Sequence, residues 1–201
     1  MSNVYFNGFV LTLGLIMAIG AQNAHVLRQG LRGEHVLLTV SVSALCDMLL
    51  ITLGIAGLGS LFVANPDLMA VARYGGAAFL IWYGTRALLA AIRGGRVVDV
   101  SEHRRMSRGQ ALLAAAGFSL LNPHAYLDTV VLLGSIGSQQ ADDLRPLFAA
   151  GAITASIVWF VVLGYGARLL VPLFSRPMAW RVLDALVALM LWGIAASLLL
   201  A

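Results

Sequence analysis

The chain has 201 residues, of which 60% are hydrophobic and only 11% are charged. A soluble domain carries roughly 25% charged residues, so these charges are too few to cover a surface in contact with water, and the mean hydropathy of +0.89 agrees. The composition excludes a soluble domain and a disordered chain, and a single cysteine excludes an intrachain disulfide framework. We therefore predict an all-α integral membrane protein.

Six apolar runs separate the clusters of charge, and each is long enough for a transmembrane helix of about 20 residues. The runs lie at about 1–27, 36–63, 68–92, 110–137, 147–171 and 180–200. The connections between them are short, except for the polar and arginine-rich stretch 93–109. The sequence therefore predicts six transmembrane helices in a single domain over residues 1–201.

The arginines, which make up all 13 basic residues, indicate the orientation. Connections one, three and five contain Arg28, Arg32, Arg93, Arg96, Arg104, Arg105, Arg108, Arg168, Arg176 and Arg181. Connections two and four contain only Arg73 and Arg145, beside acidic residues. Because basic connections stay in the cytoplasm, we predict that the odd connections are cytoplasmic and that both termini lie outside. The same asymmetry explains the positive charge without a nucleic-acid partner.

Similar short patterns recur in the same order in both halves of the chain. The pairs are Asn23-Ala24-His25-Val26-Leu27 with Asn122-Pro123-His124-Ala125-Tyr126-Leu127, Leu53-Gly54-Ile55-Ala56-Gly57 with Leu163-Gly164-Tyr165-Gly166-Ala167, and Trp82-Tyr83-Gly84 with Trp192-Gly193. Since each half holds three spans, the halves insert with opposite orientation. We predict a 3+3 inverted repeat, a plan typical of secondary transporters, with repeat one at about 1–92, a cytoplasmic loop at 93–109 and repeat two at about 110–201.

Helices one and four of this repeat are predicted to be irregular. Pro123 cannot donate to the helical hydrogen-bond ladder and clashes with the preceding turn, and Gly20 with Gln22-Asn23 permits a similar break in span one. Irregular backbone survives in lipid only beside protein or a water-filled cavity. Paired irregularities in the two halves therefore indicate a central binding site. The alternative is a packing kink in which the asparagine caps a broken helix.

Two carboxylates lie inside predicted spans, Asp47 eleven residues into span two and Asp128 eighteen residues into span four. A carboxylate at the centre of a spanning helix costs about 2.5–3.5 kcal/mol. One explanation is pairing with Arg73 or Arg86 near the ends of span three. The other is that both acids face a polar cavity and hold a cation or a proton. We favour the cavity, because the two acids and the two asparagines of the repeat converge on spans one, two and four.

Other kinds of chemistry have less support. His25, His124, Cys46 and Asp47 are potential metal ligands, but no pair has helical i, i+4 spacing and no H-E-x-x-H pattern occurs. No G-x-x-x-x-G-K-[ST] pattern indicates direct use of ATP. We predict no metal and no cofactor. The rival classes are a membrane-embedded enzyme that uses the histidines and a structural scaffold, which would not need buried carboxylates.

Two signatures carry a family resemblance. The first is Gly20-Ala21-Gln22-Asn23-Ala24 followed by Val26-Leu27-Arg28-Gln29-Gly30, and the second is Leu121-Asn122-Pro123-His124-Ala125-Tyr126-Leu127-Asp128-Thr129. Both resemble signatures of the lysine/arginine exporter family (LysE/ArgO type). The likeness continues through Asp47, Trp82-Tyr83-Gly84 and Ser156 with Trp159-Phe160, so it covers essentially the whole chain. One departure is Ala21, where the family usually has proline.

The resemblance implies a secondary transporter domain that exports arginine and/or lysine across the bacterial cytoplasmic (inner) membrane, driven by the proton motive force. It implies neither an ATPase nor another enzyme. The partners are then a basic amino acid, protons and the lipid bilayer. The residues expected to handle substrate and protons are Asp47, Asp128, Asn23 and Asn122, with Gln22, Pro123, His124 and Tyr126 in support. A neutral amino acid or another small cationic metabolite stays open as substrate, and so does assembly into a homo-oligomer.

Overall fold

A computed structural model describes residues 2–17, 20–58, 66–92, 106–122, 125–175 and 177–200. These residues form helices and contain no strand. In chain order they are α1 (Ser2–Ile16), α2 (Ala21–Arg32), α3 (Val36–Leu53) with a π-helical turn (Gly54–Leu58), α4 (Pro66–Ile92), α5 (Arg108–Leu120), a π-helix (Tyr126–Leu133) leading into α6 (Gly134–Ser138), α7 (Arg145–Gly166) with 3₁₀ turns (Ala167–Leu170 and Leu173–Ser175), and α8 (Pro177–Leu200).

Four helical stretches in the described part of the chain are apolar and long enough to cross a membrane. They are 36–57, 73–92, 145–170 and 178–200, which correspond to predicted spans two, three, five and six. α1 and α2 are bent by 81° at their junction and make a fifth span if they are taken together. The fourth predicted span consists of α5, the π-helix and α6, none of which is long enough alone. The interruptions expected in spans one and four are therefore observed, although Pro123 itself lies outside the described residues.

Exposed apolar side chains cover much of the helix bundle. Large hydrophobic residues are well exposed on several helices, for example Leu37 on α3, Leu113 on α5 and Leu189 on α8. A soluble monomer rarely exposes large contiguous apolar patches, whereas the same surface is stable against lipid tails. The packing therefore agrees with the composition in indicating a membrane protein.

The helix α2 is short and has well-defined ends. It begins after Gly20, whose backbone is extended and which offers no side-chain cap. It ends at Gly33, where φ is 66°, a left-handed conformation that glycine adopts without steric cost. The backbone N–H groups of Gly33 and Glu34 return to the last carbonyls of the helix. α2 is thus separated from α1 by a break and from α3 by a tight turn.

α1 and α2 lie one after the other along the continuous helix α7. The contacts in chain order are Gly8 with Phe148, Asn23 with Trp159, and Gly30 with Gly164. Because the residue numbers increase together on both sides, the interrupted pair runs parallel to α7. The two short helices therefore extend over the same length of the molecule as one continuous helix.

The fourth predicted span has the same relation to α3. The contacts in chain order are Met106 with His35, Ser119 with Asp47 through Gln22, Val130 with Gly54, and Gly137 with Ile55. These pairs also increase together, so the interrupted segment runs parallel to α3 and its π-helical turn. In each half of the chain, an interrupted segment thus packs beside a continuous helix of the other half.

α4 and α8 pack against each other beside these four segments. Their contact buries Leu80, Ala87, Ala188 and Leu191, all at most 1% exposed. At Gly84 the backbone leaves room for the indole of Trp192, because a Cβ there would lie 2.8 Å from its Cδ1 atom. This pair closes one side of the space in which the two interruptions meet.

Candidate substrate cavity

A cavity of about 240 Å³ lies where the breaks of the two interrupted segments meet. Its polar lining consists of Thr12, Gln22, Asn23, Asp47, Asn122, Asp128 and Thr129, and its apolar lining includes Leu15, Ile16, Leu133, Phe160 and Ile194. Sites for drug-sized ligands enclose roughly 300–1,000 Å³, so this volume suits one small metabolite. The four principal residues predicted from the sequence, with Gln22, therefore line one space.

Asp47 is the buried carboxylate on α3, with 3% of its surface exposed. Its Oδ1 atom accepts a hydrogen bond from Gln22 Nε2 at 3.2 Å, and its Oδ2 atom accepts one from Ser156 Oγ at 3.0 Å. Both donors are neutral, and the described residues include no cationic partner for it. The carboxylate is held in a fixed orientation while its negative charge stays available for a cation or a proton.

Neither arginine considered from the sequence pairs with Asp47. Arg73 donates to the carbonyls of Leu198 and Leu199 at the carboxyl end of α8, where helix carbonyls lack helical partners. The guanidinium of Arg86 lies 5.1 Å from the ring centroid of Trp82. The pairing explanation is therefore wrong for Asp47.

Gln22 connects the two interruptions. Besides its bond to Asp47, its Nε2 atom donates to Ser119 Oγ at 2.9 Å, and Ser119 in turn donates to the Ala115 carbonyl at 2.9 Å. The side chains of α2, α3 and α5 are thus joined at the cavity wall. No sequence signal pointed to Ser119, because a serine in an apolar run is usually satisfied by its own helix.

Asn23 has a structural contact as well as a place on the cavity wall. Its Nδ2 atom donates to the carbonyl of Ile16, the last residue of α1, at 2.6 Å, and its Oδ1 atom accepts from Trp159 Nε1 at 3.1 Å. The capping role considered from the sequence is therefore present at Asn23. The same bonds hold the first turn of α2 against the end of α1 and against α7, beside Gly20, which also lines the cavity.

The other wall comes from the segment after α5. Asn122 and Asp128 line the cavity there, and Asp128 lies in the first turn of the π-helix. π-Helical geometry is rare in proteins overall, but where it occurs it is frequently found at a functional site. Tyr126 is not among the described lining residues; its hydroxyl donates to the Leu120 carbonyl at 2.7 Å and so bridges the interruption. His124, like Pro123, lies outside the described residues.

Comparison with known proteins identifies the family. Residues 13–201 match the family model described as LysE type translocator. The chain belongs to the LysE type translocator family. The resemblance seen in the two sequence signatures is thereby confirmed. A translocator with several apolar helices is a multi-pass membrane transporter and not an enzyme.

Individual relatives match this LysE family chain over nearly its whole length. The arginine exporter protein ArgO of Yersinia enterocolitica is 41% identical over 198 residues, 98% of this chain and 97% of its own. The arginine exporter protein ArgO of Serratia proteamaculans is 40% identical over 198 residues, with the same two coverages. YggA of Aeromonas salmonicida is 44% identical over 191 residues, 95% of this chain and 93% of its own. No solved structure matches the chain.

The translocator contains another buried carboxylate, which the sequence interpretation missed. Asp184 lies on α8, is 5% exposed, and forms an ion pair with Arg28 of α2 at 3.0 Å. The expectation that only Asp47 and Asp128 lie inside the membrane spans is therefore wrong. The signal was present, because Asp184 lies within the apolar run 180–200.

The described residues offer no cluster suited to a metal ion. No three side chains among His, Cys, Asp and Glu come together in the ranges that the structure describes, which do not include His124. Among the described lining residues, the polar groups of the cavity are carboxylates, amides and hydroxyls.

Proposed function

We propose that this translocator exports basic L-amino acids, arginine and/or lysine, across the bacterial cytoplasmic membrane in exchange for protons. The observation that carries the proposal is that Asp47 and Asp128 line one cavity of small-metabolite size, with Asp47 held by neutral donors among the described residues. Two relatives of about 40% identity are named as arginine exporters, which supports the choice of substrate.

The charges of the cavity match those of a basic amino acid. Arginine and lysine carry two cationic groups and one carboxylate, and Asp47 and Asp128 supply two negative charges. Arginine can engage a carboxylate through two parallel hydrogen bonds. The uncapped amino end of α2 at Gly20 and the amides of Gln22 and Asn122 supply donors for the substrate carboxylate. A neutral amino acid would bring one cationic group fewer to the two carboxylates.

Proton exchange balances the charge of the exported substrate. Moving one positive charge outward against the membrane potential costs about 2.3 kcal/mol per 100 mV. An incoming proton cancels that charge movement and adds the energy of the pH gradient. In this scheme Asp47, Asp128 or both bind the substrate cation on the inside, releasing a proton, and are protonated again from the outside when the substrate leaves.

A counterflow assay with purified protein in liposomes tests the substrate. We expect internal arginine or lysine to drive accumulation of labelled arginine. Internal citrulline, which has nearly the shape of arginine but no side-chain charge, should not drive it. Counterflow driven equally well by citrulline would favour the alternative of a neutral amino acid, and counterflow driven by neither would contradict amino-acid export.

We also propose a six-span 3+3 inverted repeat, with repeat one at about 1–92, loop 93–109 and repeat two at about 110–201, forming one transporter domain. The matching placement of α1–α2 along α7 and of the π-helix along α3 supports it. The connections that the sequence assigns to the cytoplasm meet at one end. There, His35 Nε2 donates to the Met106 carbonyl at 2.7 Å, and the Arg32 guanidinium lies 5.8 Å from the Trp180 ring centroid.

Cysteine labelling of intact cells tests this orientation. In a Cys46→Ser background, Glu34→Cys places a thiol in connection one and Asp143→Cys places one in connection four. We expect a membrane-impermeant thiol reagent to label the second variant in intact cells and the first only after permeabilisation. Labelling of the Glu34→Cys variant in intact cells would reverse the proposed orientation.

A further inference from the structure

The ion pair between Arg28 and Asp184 lies in the seam between α2 and α8. Arg28 Nη2 is 3.0 Å from Asp184 Oδ1, and the two side chains are 11% and 7% exposed. Arg28 Nε and Asp184 Oδ1 are both buried without a hydrogen-bond partner among the described residues, so the 3.0 Å contact is an ion pair without hydrogen-bond geometry. The guanidinium therefore does not use the two-point geometry that makes arginine–carboxylate pairs strong.

α2 leads from the cavity to the end of the molecule where connections one, three and five meet. Gln22 and Asn23 line the cavity at its first turn, and Arg32 lies over Trp180 at its last turn. His25 and Arg28 lie between them at spacings of three residues, which places Gln22, His25, Arg28 and Arg32 along one side of the helix. A line of polar side chains therefore connects the cavity with that end.

The side chains around this line are apolar, so burying its polar atoms there costs free energy. The seam packs Ala21 of α2 with Ala188 and Leu191 of α8. The ring of His25 stacks on Phe118 at 4.8 Å, and its Nε2 atom is buried without a hydrogen-bond partner among the described residues. A buried ion pair contributes little net stability compared with apolar residues of the same shape. Stability alone therefore gives little reason for an arginine and an aspartate at these positions.

The head group of Arg28 has the same chemistry as the side chain of the proposed substrate. A guanidinium or primary ammonium that reaches the seam can replace Arg28 at Asp184, so that the carboxylate is never left without a cation. Breaking the pair without such a replacement would leave the buried carboxylate without its contact partner, near only the charge of Arg32 among the described residues, which is unfavourable. Displacing Arg28 from Asp184 therefore costs little free energy only when another cation takes its place.

We propose that the seam between α2 and α8 is the substrate's route between the cavity and the end formed by connections one, three and five, and that Asp184 is a cation-binding substrate site on this route. Arg28 occupies the site until a guanidinium or ammonium group displaces it. The inference rests on the proposed transport of basic amino acids and adds a second binding site to the cavity.

The test measures uptake of labelled arginine into everted membrane vesicles, whose cytoplasmic side faces the medium. Asp184→Asn should raise the half-saturating arginine concentration about tenfold, because the site loses its charge. Arg28→Gln should lower it about tenfold, because the substrate no longer competes with an internal cation. If the ion pair were only structural, removing either partner should impair the protein in the same direction. Opposite shifts of the half-saturating concentration are therefore not expected of a structural pair.

The double variant Arg28→Gln/Asp184→Asn covers the case in which Arg28→Gln does not fold, because it leaves no buried charge unpaired. We expect it to resemble Asp184→Asn, with a half-saturating concentration raised about tenfold; a wild-type value would overturn the inference. The matched controls are Asp142→Asn and Arg145→Gln, which remove an exposed ion pair of 2.9 Å from connection four and should leave uptake unchanged. If the wild type transports arginine but both single variants shift the value in the same direction, the inference alone fails. Wild-type vesicles without arginine uptake would overturn the proposed function itself.

Discussion

Asp47→Asn and Asp128→Asn should each reduce proton-driven arginine efflux by about 100-fold or more. Removing one partner of a buried ion pair costs about 3–5 kcal/mol, and each 1.4 kcal/mol is a factor of ten in binding. The substrate cation would lose a carboxylate partner in the cavity that both acids line. The measurement is efflux from proteoliposomes with an imposed pH gradient and membrane potential.

Counterflow of the same variants separates the two roles of a carboxylate. Exchange of internal for external arginine needs no net proton movement, so an acid that only carries the proton is dispensable for it. A variant that loses driven efflux but keeps counterflow identifies a proton carrier, and one that loses both identifies a substrate ligand. Undiminished driven efflux in both variants would contradict the proposed mechanism.

The folded state should survive the change at Asp47. Asparagine has nearly the same shape, its amide oxygen still accepts from Gln22, and its amide nitrogen can donate to the Ser156 hydroxyl. Removing a buried charge also removes its desolvation cost, so the melting temperature in detergent should not fall. Ser156→Ala is the matched control, since it deletes one donor at 3.0 Å and leaves the charge; we expect efflux to fall by about tenfold, well short of the loss in Asp47→Asn.

The sequence identified the cavity residues because a charge in an apolar run has few structural explanations. Asp47 could be assigned on that ground alone, and the structure places it in the cavity. Asp184 is harder to assign from the sequence, because it lies near the start of its run and close to Arg181, a position that also suits a solvated helix end. Its partner Arg28 is distant in the chain, and only the packing of α2 against α8 brings the two together.

The alternative in which Asp47 pairs with Arg73 or Arg86 is wrong for a different physical reason. Long arginine side chains find partners other than carboxylates, and here they reach carbonyls at the end of α8 and the face of an aromatic ring. Such partners depend on which helix ends lie side by side. Hydrophobic runs and charge positions predict where apolar helices and buried charges lie along the chain, but the neighbours of each helix follow from close packing, much of it at glycines.

We expect a second large loss of transport when alanine replaces Gly54 or Gly134. These glycines lie where the π-helix and the start of α6 cross the π-helical turn after α3. A Cβ atom at Gly134 would lie 2.7 Å from the backbone of Gly54, and one at Gly54 would lie 2.8 Å from the Thr129 carbonyl and the Val130 Cα. Backbone atoms cannot rotate away, so alanine at either position forces the two segments apart. Overpacking of this kind costs about 1–3 kcal/mol, a fall in melting temperature of about 3–10 °C.

Alanine at this crossing should reduce the transport rate by a larger factor than it reduces the stability of the fold. Thr129 and Asp128 line the cavity directly beside it, and a shift of about 1 Å in a site can cost about 100-fold in rate. We expect Gly54→Ala and Gly134→Ala to remain folded but to lose most arginine counterflow. The matched control is Gly193→Ala on α8, where a Cβ has nothing within 4 Å and alanine favours the helix.

The crossing of α2 with the end of α7 provides the corresponding test in the other half of the repeat, because Leu163-Gly164 is the counterpart of Leu53-Gly54. A Cβ atom at Gly30 would overlap the Gly164 carbonyl, and one at Gly164 would lie 2.6 Å from the Val40 Cγ2 atom. Gly166→Ala at the end of α7 is open and serves as the control. If the halves are inverted copies, Gly30→Ala and Gly164→Ala should impair counterflow as Gly54→Ala and Gly134→Ala do. Loss at only one crossing would mean that the two interrupted segments do not act as equivalent halves of one site.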